Sequence, residues 1–209
     1  MTLVDLIGWT ATILGTTLGI PQLVRLVRTA NVEGLSLIGW QSLLGLNIAW
    51  TFHGIAIGQL PQLLTNILAL CSTVPILVLM SRVLGRRVAL TLLPGFLLGL
   101  VMVGLDRYLG SLAFGIFAIL PSIVVSAGQS LELVRAEHVR GVSPLYLSLG
   151  VLNLSMWLAW GALVNDSGTV VAVAITLLVA VFNLVWYICR RFGLRAFLTP
   201  APVPVPVTD

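Results

Sequence analysis

The chain has 209 residues, 58% of them hydrophobic and 9% charged, with a formal net charge of +4 and a mean hydropathy of +1.09. A soluble domain carries about 25% charged residues, so this composition excludes a water-facing globular fold and predicts an all-α integral membrane protein held in a lipid bilayer. Nucleic acid is not an expected partner, because the chain has no lysine and its eleven arginines are scattered at the ends of apolar runs.

A membrane-crossing helix needs about 20 predominantly apolar residues. Seven runs qualify: 3–24, 35–55, 60–80, 88–105, 110–133, 142–164 and 168–189. The first has no basic n-region and no A-x-A-like site, so it is expected to be a membrane helix rather than a cleavable signal. It passes into "GIPQLVRLVR". Proline removes a backbone donor and clashes with the carbonyl four residues earlier, and the amide of Gln22 offers that carbonyl a local partner. Pro21 and Gln22 are therefore expected to form a hinge near the basic end of helix 1. Above them, Gly15-Thr-Thr-Leu-Gly19 offers a small-residue face for close helix packing.

The second run ends in "NIAWTFHG" and the third carries Asn66 in "PQLLTNILAL". The fourth, "VALTLLPGFLLGLVMVGL", is expected to be the shortest and least polar helix. The fifth contains Pro121 and Gln129, the sixth opens near Pro144 and carries "LNLSMWLAWG", and the seventh contains Asn183. The closing "TPAPVPVPVTD" reads as an extended, solvated tail. Cys71 and Cys189 lie far apart in apolar runs, with no disulfide framework and no metal-ligand spacing.

Ten of the eleven arginines fall after runs 1, 3, 5 and 7, and Arg107 alone falls on the other side, beside Asp106. By the positive-inside rule the N-terminus is expected outside and the C-terminus in the cytoplasm. The membrane expected is a bacterial plasma membrane.

Residues 21–54 align with 128–161 at a constant offset of 107. Nine pairs are identical: Gln22/Gln129, Leu26/Leu133, Val27/Val134, Arg28/Arg135, Val32/Val139, Gly34/Gly141, Ser36/Ser143, Trp50/Trp157 and Gly54/Gly161. Hydrophobic bias alone does not supply matched Arg, Gly, Trp and Gln, so the match is read as an internal repeat. Three helices per repeat would invert the second copy, and the unpaired fourth helix restores its direction. The expected architecture is seven transmembrane helices as two parallel three-helix repeats joined by a linker helix (3+1+3). Repeat 1 spans residues 1–82, the linker helix 83–109, repeat 2 residues 110–191 and the cytoplasmic tail 192–209. Parallel repeats about an axis along the membrane normal are an architecture of transporters.

Pro21-Gln22, "VEGLS", Trp50-Thr-Phe-His53-Gly54 and "LNLSMW" in this repeat frame resemble the PQ-loop superfamily, in particular its seven-helix SWEET transporters, over nearly all of residues 4–191. The resemblance implies passive uniport of mono- or disaccharides by alternating access between two three-helix bundles, with neither enzymatic activity nor a cofactor. Carried over position by position, it places the substrate at Trp50, Trp157 and Asn66. The chain departs from the family pattern at Val173, where a second asparagine is usual, at Gly128-Gln129 in place of Pro-Gln, and at His53 and Trp160 in place of tyrosine. Its proline hinge set is incomplete: Pro21, Pro121 and Pro144 are the candidates, with Gln22 following Pro21 and its repeat mate Gln129 also expected at a hinge.

The residues themselves agree with a neutral polyol. Trp50, Asn66 and Trp157 lie at one depth, roughly 7–11 Å below the outer boundary at 1.5 Å per residue. Indole faces stack on sugar C–H groups, and an amide both donates to and accepts from hydroxyls. Asn153, one turn before Trp157, is a further candidate for the pocket, although helix bridging would serve it equally. Asn47 and Asn183 read as helix-bridging amides; Trp9, Trp40, Trp160 and Trp186 read as interfacial belt residues facing lipid. No carboxylate is expected mid-membrane, which favours a passive carrier over a proton-driven one, and His53 is the sole titratable candidate within a helix.

Two alternatives stand beside this reading. A PQ-loop carrier of an amino acid or other small metabolite would show a charged pocket residue. A receptor or trafficking protein on the same scaffold would show charged groups converging in a cavity. A homo-oligomer is compatible with all three. Phosphate-cradling glycine loops, H-x-x-x-H spacing and paired helical acids are lacking, which argues against an enzyme or a metal site.

Overall fold

The computed structural model describes residues 2–32, 35–135, 139 and 142–197, with the side chains of Gln22 and Glu132 outside the description. These residues form α1 (Leu3–Thr29), α2 (Leu37–Ala56), α3 (Leu60–Val83), α4 (Val88–Leu109), α5 (Ser111–Arg135), α6 (Pro144–Leu163) and α7 (Ser167–Arg191), with no strand among them. All but α2 are long and apolar enough to cross a membrane. α2 has 20 residues, but Gln41, Asn47 and His53 dilute its apolar run. Six to seven such helices fit a multi-pass membrane protein.

The distribution of side chains fits the same conclusion. Ile13, Val101, Leu120 and Leu178 are exposed, while Asn47, His53, Gln62, Thr169 and Asn183 are buried. Such an apolar exterior suits hydrocarbon, and the polar groups have been withdrawn to helix–helix contacts.

Helix ends depart from the sequence expectation in one consistent way. α1 continues through Pro21 to Thr29 and α5 continues to Arg135, so Arg25, Arg28 and Arg135 lie on final helical turns rather than in loops. A helix keeps its backbone bonds internal wherever it leaves the hydrocarbon, and basic residues in a last turn meet the negative end of its dipole. α4 is longer than expected: it has 22 residues, and the shortest helices are α2 and α6 at 20 each.

α3 packs against α1 and α2, and α7 packs against α5 and α6; α2 meets α5, α1 meets α6, and α4 lies mainly along α2. Positions 107 apart do the same local work. Ser36 and Ser143 cap α2 and α6, accepting hydrogen bonds from Gly39 N and Tyr146 N. After α2 the chain turns through Gly58 at φ +67°, and after α6 through Asn165 at φ +57°. Gln59 N bonds to Gly54 O at 2.8 Å, and Asp166 N to Gly161 O at 2.9 Å. A β-carbon at Gly54 would strike Leu63 N, and one at Gly161 would strike Thr169 Cγ2.

The closest backbone approaches are made by other glycines. A β-carbon at Gly115 of α5 would run into the backbone of Gly168, and one at Gly95 of α4 would press on Gln41 O of α2. The Gly15-Gly19 face expected from sequence is looser. A β-carbon added at Gly15 would lie 3.2 Å from the Asn153 amide of α6, and one at Gly19 would lie 3.6 Å from Ser72 Oγ of α3.

Candidate functional site

Between the turn-bearing ends of α2–α3 and α6–α7 lies a cavity of about 140 Å³, lined by Trp50, Gln62, Thr65, Asn66, Trp157, Thr169 and Val173. Three of the expected residues, Trp50, Asn66 and Trp157, therefore meet in one place. The lining also follows the repeat: Trp50 pairs with Trp157, Gln62 with Thr169 and Asn66 with Val173 at an offset of 107.

Each side chain is held by its own helix. Asn66 Nδ2 donates to Gln62 O at 2.8 Å, one turn earlier on α3, which fixes the amide. Thr65 Oγ1 donates to Thr12 Oγ1 at 2.7 Å, and Thr12 donates to Gly8 O and Pro61 O, joining α3 to α1. Gln62 Nε2 reaches Thr169 Oγ1 at 3.5 Å, a long contact, while its Oε1 is buried with no partner among the described residues. Trp50 meets Phe114 edge-on at 4.6 Å between ring centroids, and Trp157 meets Trp160 edge-on at 5.2 Å. Among the described residues, none that lines the cavity is charged.

One turn nearer the connecting turns sit His53 and Trp160, again 107 apart. Trp160 is fully buried, with its indole over Gly8 and Pro61. This corrects the reading of Trp160 as a lipid-facing belt residue: Gly8 on α1 leaves room for the ring, and α6 packs it inward. Trp186 also turns inward in part, its Nε1 donating to Leu133 O at 3.1 Å. Trp9 and Trp40 are half-buried, Trp40 against the cluster of Leu26, Ile76 and Met80.

His53 is 1% exposed and lies between two carboxylates, with Nδ1 2.9 Å from Asp106 Oδ2 and Nε2 2.9 Å from Asp166 Oδ2. Its ring stacks on Phe114 of α5. Asp166 precedes α7 and caps it, accepting from Thr169 N at 3.1 Å and from Ser111 Oγ. Burial pushes the Asp166 carboxyl up, but hydrogen bonds from His53, Ser111 and Thr169, with the imidazole charge, hold it well below the usual carboxylate range. This cluster was missed in the sequence, where its members stand 53 and 113 residues from His53. Gln62 and Thr169 were missed too, although their offset of 107 was a usable signal.

The other expected residues lie elsewhere. Asn153 does not line the cavity; it rests against Gly15, with Oδ1 buried and without a partner among the described residues. Asn47 bridges helices as expected, Nδ2 donating to Thr73 Oγ1 at 3.1 Å. Pro21 and Pro121 are inside α1 and α5, whereas Pro144 is the first residue of α6. There its missing N–H breaks no helical bond, so it starts that helix rather than bending it. Pro75 and Pro94, inside α3 and α4, were absent from the expected hinge set. The Gln22 side chain falls outside the described residues, and Gln129 lines a second pocket toward the arginine-rich ends.

Compared with known protein families, characterised proteins and solved structures, the chain matches none.

Proposed function

We propose that this chain is a passive carrier of a neutral polyhydroxylated solute, of the mono- or disaccharide class, working by alternating access as its resemblance to the SWEET and PQ-loop transporters implies. The observation that carries the reading is the cavity itself. Two indoles from different helices, two amides and two threonines surround a space with no charged lining residue among those described, and the Gln62 Oε1 acceptor there has no partner among the described residues. Leaving a buried acceptor unpaired costs about 1–3 kcal/mol, and a solute hydroxyl would recover that. A carrier of amino acids would need a charged counterpart, which this lining lacks.

The moving parts in this reading are two three-helix units, α1–α3 and α5–α7, with α4 as linker. The shared caps, turns and glycine contacts at an offset of 107 support that division. The contacts of α2 with α5 and of α1 with α6 would be the surfaces that rock. His53 to Asp166 and Trp160 to Gly8 cross between the units beside the cavity, and they would close the outer side. The arginine-rich ends would face the cytoplasm of a bacterial cell.

The test is counterflow of labelled glucose and sucrose into proteoliposomes without an ion gradient, comparing wild type with Asn66→Ala. Uptake by wild type that falls at least tenfold in the variant is expected. No uptake of either sugar by folded protein would overturn the proposal and turn attention to other small metabolites or to a non-transporting receptor.

A further inference from the structure

A second pocket, of about 150 Å³, lies nearer the arginine-bearing ends of α1, α5 and α7 and the start of α6. Its polar lining is Ser126, Gln129, Tyr146, Thr176 and Asn183, with no charged side chain among the described residues that line it. Asn183 is 2% exposed, and its Oδ1 has no hydrogen-bond partner among the described residues. Sequence reasoning assigned this amide to helix bridging, the role Asn47 fills with Thr73, but the Asn183 carbonyl bridges nothing.

The two pockets share helix faces. On α7, Thr169 and Val173 line the first, and Thr176, Ala180 and Asn183 line the second. These positions recur every three or four residues, which places them on one stripe of the helix. Along that stripe a hydrogen-bonding side chain returns every seven residues, at 169, 176 and 183, about 10 Å apart at 1.5 Å per residue. On α6 the same pattern links Trp157 in the first pocket to Leu154, Gly150 and Leu147 in the second. One polar stripe thus leads from the cavity toward the arginine-rich face.

We infer that the second pocket is a separate binding station for the same neutral polyol, with Asn183 Oδ1 accepting a solute hydroxyl. The inference rests on the carrier reading proposed above. It assigns α7 the track along which the solute passes from one station to the next. Ser126 supports this side of the track: its hydroxyl is bound to Ser122 O within α5, so it offers a fixed acceptor.

The test uses two variants in proteoliposomes. Asn183→Leu replaces an unpartnered buried carbonyl by an apolar side chain of similar size, so the melting temperature should hold or rise. Half-saturation of counterflow should move at least about fivefold to higher sugar concentration, the worth of one hydrogen bond. Gly150→Leu fills the pocket from a position where an added β-carbon meets nothing within 4 Å, and it should weaken counterflow similarly without loss of stability. A lower melting temperature for Asn183→Leu would mark a structural amide and overturn the inference, as would unchanged half-saturation in either variant. Absence of sugar counterflow in wild type is a different result: it removes the carrier reading and this station together.

Discussion

A neutral imidazole has one N–H, yet both ring nitrogens of His53 lie 2.9 Å from carboxylate oxygens. With Asp166 held ionised, both contacts are attractive when the ring is protonated; a neutral ring turns a lone pair toward one carboxylate. The groups facing His53 are Asp106 at the end of α4, Asp166 before α7, Phe114 on α5 and Trp50 on its own helix. The tie between α2 and α7 is therefore strongest at low pH and loosens as pH rises. If the tie closes the outer side, counterflow should quicken as pH rises and the ring gives up its proton. His53→Gln should flatten that profile, and a wild-type profile already flat would refute the tie as a pH-dependent closure. Nothing near His53 in the chain announces its partners, since burial and pairing are decided by helices that arrive from far away in sequence. Trp160 was misread for the same reason: whether an indole faces lipid or protein depended on Gly8, on another helix. Trp50, Asn66 and Trp157 were picked out by the family resemblance, and counting residues along each helix agreed by placing them at the one depth that a shared cavity requires.

At the scale of helices, glycine decides which pairs can close. Gly115 and Gly168 bring α5 and α7 into backbone contact, and Gly45, Gly95 and Gly99 do so for α2 and α4. Gly115→Ala must push its methyl into the Gly168 backbone, so the protein should melt at markedly lower temperature or fail to accumulate folded. Gly128 lies on the same α5 with open space beside it. There Gly128→Ala should be neutral or stabilising by up to about 1 kcal/mol, the difference in helix propensity. Thermal unfolding of both variants in detergent checks the pair, and equal melting temperatures would mean that α5 and α7 do not pack through glycine. The helices themselves were legible because hydrocarbon thickness sets their length and leaves apolar runs of matching size. Their ends were less so, because Arg25, Arg28 and Arg135 look like loop residues in composition while the backbone is still helical. Which small-residue pair packs tightly could not be read at all. Gly15 and Gly19 have the same spacing as Gly95 and Gly99, and only the neighbouring helix distinguishes them.

For the molecule as a whole, the offset of 107 is the sequence feature that reached furthest into the structure. It predicts not only identities such as Ser36/Ser143, which cap equivalent helices, but also substitutions that keep the same backbone. Gly58 and Asn165 differ chemically, yet glycine and asparagine are the residues that most readily adopt the positive φ found at both turns. Where positions 107 apart differ, the difference bears on the site: His53 pairs with carboxylates, whereas Trp160 sets its indole Nε1 against Gly8 with no hydrogen-bond partner among the described residues. The two closures across the proposed units are thus unequal, one polar and titratable, the other a buried ring. Alternating access requires both to part during each cycle. In a chain with Cys71 and Cys189 changed to serine, Gly8→Cys and Trp160→Cys can be joined by a short bifunctional thiol reagent. Cross-linked protein should lose whatever counterflow the same variant shows unlinked, and a cleavable reagent should restore that level on reduction. Counterflow that continues through the cross-link would mean that α1 and α6 stay together throughout transport, and the two units could not be the moving parts.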